Sequence, residues 1–337
     1  MTSVLYIGNN LKDSRRNITG IAHLGPVLEG EGIRVFYASS QKNKVVRLLD
    51  MLYACWKYKG KVDYVLIDTY STLNFWYAVW VAQLCRMFKS KYIPILHGGN
   101  LEMRLKQNPL WCQRLFNRAL INIAPSRFME NTFARYGYNN LRYIPNSIDL
   151  DKYQFKSRPL HEPQILWVRS FSNIYNPELA VKVMKGLKDE GINTSLCMVG
   201  PDSGDGSLEA TKSLAGALEL EVSFTGKLSK EKWIALSQDY NLFINTTNFD
   251  NMPVSVIEAM ALGLPVVSTN VGGMSYLIDH ERDGILVNPD AEAEFVDAIK
   301  ILISNPERLK TMTKAARQKV EAFDWSVVRE QWLTILK

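Results

Sequence analysis

Along the chain, short runs of apolar or β-branched residues alternate with longer stretches whose apolar positions recur at helical spacing. The short runs fall at residues 4–7, 34–37, 64–67, 92–96, 121–124 and 142–144, and the pattern restarts at 165–168, 195–199, 222–224, 242–245, 265–268 and 285–287. Strands separated by helix-length amphipathic segments pair in parallel through crossover helices. The pattern therefore predicts an α/β chain with two doubly wound units. Between them, Pro145 to Tyr153 and a polar stretch containing Pro159 and Pro163 carry turn chemistry without periodicity, as a linker does. This places a first domain over 1–155 and a second over 156–322. Helical patterns over 291–303 and 306–322 lead to residues 323–337, where Asp324 or Ser326 is placed to cap a final helix expected to pack back on the first domain.

Length and composition agree with that division. At 337 residues the chain exceeds one ordinary core and suits two of roughly 150 residues each. With 47% hydrophobic and 22% charged residues and no low-complexity segment, it reads as globular rather than disordered. Cys55, Cys85, Cys112 and Cys197 form no C-x-x-C pair and follow no signal peptide, so neither a disulfide framework nor a zinc site is expected, and a reducing cytoplasmic setting is. The most apolar stretch, 73–88, is interrupted by Asn74, Gln83 and Arg86, too short and too polar to span a bilayer.

Charge changes the picture more than composition does. Residues 1–150 hold 20 Lys and Arg against 9 Asp and Glu, a net of +11, whereas 151–337 hold 20 against 25, a net of −5. A basic half draws anionic lipid headgroups or a phosphorylated acceptor through its long-range field, and these are expected here rather than nucleic acid. Aromatic and basic residues interleave at Trp56, Lys57, Tyr58, Lys59 and Lys61, at Phe75, Trp76, Tyr77 and Trp80, and at Arg104, Lys106, Trp111, Arg114 and Arg118. Such mixtures suit a peripheral membrane surface. For 75–80, ordinary core aromatics explain the same letters.

The most informative chemistry lies between Asn245 and Thr269. A strand ends at Asn245, a polar loop follows, a helix begins near Pro253 or Val254, Gly263 stops it, and Pro265 opens the next strand. Asp250 falls in the loop and Glu258 one turn into the helix, both beyond the carboxyl ends of strands, where open parallel sheets bind ligands. A carboxylate accepts two hydrogen bonds at once, which suits vicinal hydroxyls of a ribose or hexose.

This stretch resembles the acidic signature of glycosyltransferase family 4, two acidic residues with seven between them. The resemblance extends over nearly the whole chain. It implies a GT-B fold, two Rossmann-like domains facing a central cleft, with acceptor bound by the first and nucleotide-sugar by the second. The implied activity is a retaining transfer of a sugar from a nucleotide-sugar donor to a carbohydrate or lipid-linked acceptor, in bacterial surface polysaccharide or glycolipid synthesis. By the same resemblance Glu258 binds the donor ribose, while Asp250, with the loop amides around Asn251 and Met252, holds the transferred sugar. The family usually has Glu at the first acidic position, so Asp250 shortens that reach.

Arg169 ends the first strand of the second domain, where a guanidinium grips a diphosphate and stabilises charge on the departing nucleotide. The family usually pairs it with a Lys about five residues on, but no Lys lies between Arg169 and Lys182; Tyr175 falls near that place, and Lys227 is the candidate to supply the cation. There is no Asp-x-Asp, and His23, His97, His161 and His280 are dispersed, so no metal and no other cofactor is expected. In the first domain, Thr19 to His23 opens a helix at Gly20, whose permissive backbone and free amides suit a phosphate or sugar. Ile95-Leu-His-Gly-Gly99 puts His97 at a strand end, where the resemblance implies a donor-sugar contact, and Asn100, Glu102 and Arg104 follow as acceptor-side candidates. Pro145 to Asp149 resembles the family's interdomain hinge. Gly272 and Gly273 are expected to allow close packing, and Tyr276 stands where the family often has Glu. Two other readings remain open: a non-catalytic nucleotide-sugar-binding protein, suggested by the missing Lys, by Asp250 and by Tyr276, and a nucleotide-sugar epimerase of the same architecture.

Overall fold

A computed structural model describes residues 1–11, 20–98 and 100–337. Thr19, expected to open the first helix, and Gly99 lie outside them. The first sheet contains β1 (Ser3–Ile7), β2 (Arg34–Ala38), β3 (Tyr64–Thr69), β4 (Tyr92–Leu96), β5 (Asn122–Ala124) and β6 (Leu141–Tyr143), in the order β2-β1-β3-β4-β5-β6. The second contains β7 (Gln164–Val168), β8 (Ser195–Val199), β9 (Val222–Gly226), β10 (Leu242–Asn245), β11 (Val266–Thr269) and β12 (Ile285–Val287), in the order β12-β11-β10-β7-β8-β9. Every neighbouring pair in both sheets is parallel. The α/β doubly wound architecture expected from the pattern is present in both halves.

The apolar runs explain why. In β1, Val4, Leu5, Tyr6 and Ile7 are all buried, as are all five residues of β4. Burial on both faces of a strand requires helices on both sides of the sheet, the arrangement that parallel crossovers deliver. The helix Asn74–Met87 belongs to this core: Phe75, Ala78, Val79, Val81, Ala82 and Cys85 are buried. Phe75 and Tyr77 are thus core aromatics, while Trp80 at the same helix is half exposed.

Two compact units result, Met1–Asn146 together with Ser326–Lys337, and Ser147–Trp325. The chain leaves the first unit at Asn146 rather than near residue 155, and residues 147–155 belong to the second unit for a visible reason. The Ile148 amide donates to the Phe323 carbonyl at 2.9 Å, and the Trp325 amide donates to the Ile148 carbonyl at 2.9 Å. The Asp324 carboxylate accepts the Leu150 amide at 2.8 Å. The two chain passages are therefore zipped together. The last helix, Trp325–Leu336, contributes all but its first residue to the first unit, where Arg329 meets Glu31 at 3.5 Å.

Candidate active site

In the second sheet the winding reverses between β7 and β10, and a ligand crevice opens where strand order reverses. Arg169 follows β7, and the loop after β10 carries Asp250. Hydrogen bonds sew these two loops together. Trp167 Nε1 donates to Thr246 Oγ1 at 3.0 Å, Thr246 Oγ1 donates to the Tyr175 carbonyl at 2.9 Å, and the Asn248 amide donates to the Ile174 carbonyl at 2.8 Å. Arg169 and Asp250 consequently form an ion pair through Nη2 and Oδ2. The guanidinium also lies over the Tyr175 ring, 4.0 Å from its centroid. Tyr175, which falls near the position where a Lys was expected, therefore holds Arg169 by a cation–π contact and adds no charge.

Small residues back this arrangement. A Cβ at Gly272 or Gly273 would overlap the carbonyl oxygens of Asp250 and Asn251, and Gly272 has φ +55°, so the close packing expected of this pair is required to bring the Asp250 loop into place. A Cβ at Gly200 would likewise overlap the Arg169 carbonyl. Asp250 Oδ1 accepts the Asn251 amide at 2.8 Å, and Asn251 and Met252 are buried beneath the loop.

The helix Val254–Ala261 starts after Pro253 and carries Glu258, only 3% exposed. A buried carboxylate is costly without partners. Two donors meet it at Oε1: the Tyr153 hydroxyl at 2.7 Å, and the Lys230 ammonium in an ion pair. Burial first, and then the Glu258 carboxylate, pushes the Tyr153 phenol far above the ordinary tyrosine value, so it remains a donor at neutral pH. Lys230 is the first residue of the helix Lys230–Leu236, while Lys227 is exposed on the preceding loop.

The first unit has a comparable centre at its own switch point, between β1 and β3. Asp68, 5% exposed near the end of β3, accepts the Tyr6 hydroxyl at 3.0 Å and the Ile21 amide at 3.3 Å. His97 Nε2 lies 2.8 Å from Asp68 Oδ1. A carboxylate only accepts, so this ring nitrogen carries the proton. The His97 ring stacks on Tyr70 with centroids 5.1 Å apart. Burial first, and then Asp68, raises the phenols of both Tyr6 and Tyr70 well above their usual value. A Cβ at Gly20 would stand 2.7 Å from His97 Nε2, so a side chain there would displace that ring from its place against Asp68.

The structure thus gathers Arg169, Asp250, Asn251 and Met252 around one switch point, with Glu258 on the helix that follows, and Gly20 with His97 around the other. The expected acceptor-side residues behave differently. Arg104 Nε donates to the Ser71 carbonyl at 2.6 Å, and Glu102 binds Lys106 at 3.0 Å and the Tyr136 hydroxyl at 3.1 Å, all structural partners. Sequence reasoning missed Tyr153, Lys230, Tyr6 and Asp68. Of these only Asp68 carried a signal: an acid ending an otherwise apolar strand run.

Among the described residues no three His, Cys, Asp or Glu side chains converge as metal ligands, and no helix is long and apolar enough to cross a membrane. The helix Lys44–Tyr58 turns Val45, Leu49, Tyr53 and Trp56 outward, each more than half exposed, at the spacing of one helical face. Lys57, Lys59 and Lys61 border its end, with Lys59 Nζ 5.7 Å from the Trp56 ring and 5.2 Å from that of Phe88.

Two six-stranded parallel sheets, each with its charged centre where the winding reverses, define by class a GT-B glycosyltransferase architecture. The profile of the family described as glycosyl transferases group 1 matches residues 150–319, just over half of the chain, and the chain belongs to that family. Among curated relatives, it is 28% identical over 285 residues to the amylovoran biosynthesis glycosyltransferase AmsK of Erwinia amylovora, covering 79% of this chain and 69% of that protein. The putative colanic acid biosynthesis glycosyltransferase WcaL of Escherichia coli is 24% identical, covering 74% of this chain and 65% of its own length. Among solved structures, sucrose-phosphate synthase from Thermosynechococcus elongatus superposes with a TM-score of 0.82 at 19% identity, covering 99% of this chain and 98% of its own. The Anabaena protein HepE in complex with UDP-glucose gives 0.79 at 15% identity, covering 100% and 99%.

Proposed function

We propose that the chain is a retaining, family 4 glycosyltransferase that moves a sugar from a nucleotide-sugar, in the first instance a uridine diphosphate sugar, onto an acceptor for a surface polysaccharide or glycolipid. The observation that carries this reading is the buried Glu258 carboxylate, fixed by Tyr153 and Lys230 on the helix that follows the loop of the Arg169–Asp250 pair. A carboxylate with its geometry set in advance accepts the paired hydroxyls of a ribose without reorganising. The relatives named for polysaccharide biosynthesis and the neighbour that holds UDP-glucose support the same substrate class.

In the proposed reaction the acceptor oxygen bonds the anomeric carbon as the bond from that carbon to the β-phosphate oxygen breaks on the same face. The acceptor's proton passes to the departing phosphate. Arg169 stabilises the growing negative charge, and Lys230, rather than Lys227 or Tyr175, supplies the second cation. With both cations at the leaving group no divalent ion is required. Asp250 and the Asn251 amide hold the transferred sugar, and His97, oriented by Asp68, offers its ring to the acceptor. The exposed face of Lys44–Tyr58 with its lysines rests on an anionic membrane surface of the reducing cytoplasm, where a lipid-linked acceptor is presented.

The test is a panel of labelled nucleotide-sugars incubated with purified protein, with and without lipid extract from a polysaccharide-producing bacterium. Transfer to extract, or slow donor hydrolysis without it, supports the reading. Donor binding with neither points to a non-catalytic protein, and conversion to a different nucleotide-sugar to an epimerase.

A further inference from the structure

The Tyr175 ring that lies against Arg169 stands on a single turn, Asn173–Tyr175. Asn173 and Ile174 are exposed and Tyr175 is only partly buried, so hydrogen bonds carry much of the turn's placement. On one side they come from the Asp250 loop: the Ile174 carbonyl accepts the Asn248 amide at 2.8 Å and Thr247 Oγ1 at 3.2 Å, and the Asn173 carbonyl accepts Asn248 Nδ2 at 3.1 Å.

The other side is held by the loop that follows β8. Backbone bonds continue the β7–β8 pairing as far as Phe171, whose amide donates to the Pro201 carbonyl at 2.9 Å and whose carbonyl accepts the Ser203 amide at 3.1 Å. Beyond Phe171 the link passes to one side chain, the exposed Asp205. Its Oδ2 accepts Ser172 Oγ at 2.8 Å and the Asn173 amide at 3.0 Å. Its Oδ1 accepts the Ser207 amide at 3.1 Å and the Ser207 hydroxyl, at the start of the helix Ser207–Ala217. Burial raises this carboxyl, but the bonds from Ser207, Asn173 and Ser172 outweigh it and hold the group well below the usual carboxylate range. The constraint reaches Tyr175 directly, since the Ser172 carbonyl accepts the Tyr175 amide at 2.8 Å.

We infer that Asp205 is a positioning residue: it fixes the start of this turn so that the Tyr175 ring stays against Arg169, and it touches no substrate. The inference rests on the proposed reaction, in which Arg169 faces the leaving phosphate. Tyr175 stands where a Lys was expected, so Arg169 has no cation from that turn beside it and depends on the ring to stay in place.

Two readouts on the whole chain test this. Arg169 Nε is buried without a hydrogen-bond partner, so its proton exchanges slowly, and the Tyr175 ring displaces its magnetic resonance whether or not the protein turns over. Arg169→Lys assigns the signal. Asp205→Ala, at an exposed position, reduces the ring-induced displacement, and so does Ser172→Ala, which leaves the bonds from Ser207 to Asp205 intact. In turnover of a UDP-sugar, Asp205→Ala lowers kcat about tenfold and changes KM less than about twofold. Placed on Tyr175→Leu, Asp205→Ala costs nothing further, because the contact it maintains is already gone. An Arg169 signal unmoved in both single variants overturns the proposal, and so do losses that multiply in the double variant, as they would if Asp205 served the helix start alone. A displaced signal in a protein that consumes no nucleotide-sugar upholds the link from Asp205 to Arg169 and removes the transferase reading instead.

Discussion

Tyr153→Phe isolates one bond on which the proposed donor site rests. The substitution keeps the buried ring and removes only the hydroxyl that donates to Glu258 Oε1 at 2.7 Å. A hydrogen bond to a charged group contributes about 1.5–3 kcal/mol. At about 2–4 °C per kcal/mol for a unit of this size, the melting temperature of the second unit falls by about 3–12 °C. Lys230 still reaches the same oxygen, so the carboxylate stays but turns more freely, and UDP affinity by calorimetry drops about tenfold. The alkaline limb changes too. Because the folded state raises the Tyr153 phenol, its contribution is complete below the ordinary tyrosine value near pH 10 and is lost as pH rises beyond it. The variant therefore loses stability less steeply above pH 10 than the wild type. Unchanged melting temperature together with unchanged UDP affinity would refute the role given to Tyr153, and unchanged UDP affinity in Glu258→Ala would remove the ribose contact itself.

Arg169→Lys keeps one charge but loses the paired donors and the stacking on Tyr175; kcat in steady-state assays falls about 100-fold with a smaller change in KM, and equal losses in both would place Arg169 outside the transition state. Asp68→Asn removes the negative charge that His97 faces and replaces one of its two accepting oxygens by a donor, lowering kcat/KM and melting the first unit earlier by scanning calorimetry; a normal rate would leave Asp68 purely structural. Chelation by EDTA leaves transfer by purified protein unchanged, and loss that magnesium or manganese restores would show that Arg169 and Lys230 do not suffice. Leu49→Glu on the exposed helix face reduces co-sedimentation with anionic liposomes several-fold at low salt without altering the melt; equal partition of both proteins would dismiss the membrane surface.

What the sequence disclosed and what it hid have different physical origins. All twelve strands among the described residues were legible as short apolar runs, and in strands such as β1 and β4 that run reflects burial on both faces, a local property that needs no partner to be seen. Glu258 and Asp250 were legible because they lie within one loop and helix, at fixed spacing. Tyr153 and Lys230 were not, since they reach Glu258 from 105 and 28 residues away and nothing in their neighbours marks them. The domain boundary slipped for a related reason. Turn residues at 145–153 announce a linker, but the hydrogen bonds of Ile148 and Leu150 to 323–325 assign most of that segment to the second unit, and such long-range pairing leaves no periodic trace.

The two switch points share a construction that neither signature motif contains. In each, a carboxylate less than a tenth exposed accepts one tyrosine hydroxyl, Tyr6 for Asp68 and Tyr153 for Glu258, and meets one side-chain nitrogen, His97 or Lys230, with the Ile21 amide added at Asp68. A carboxylate placed this way in water would sample rotamers and hydration shells; held by these donors in a buried site, it presents one orientation. Desolvation raises both phenols, so the donors that fix the carboxylates stay protonated across the neutral range. The cost of burying each charge is thereby converted into geometry set before any ligand arrives. The two centres differ in their nitrogen donor. Lys230 reaches its carboxylate as an ammonium ion pair in the acidic second half, and His97 reaches its own through an imidazole ring stacked on Tyr70 in the basic first half.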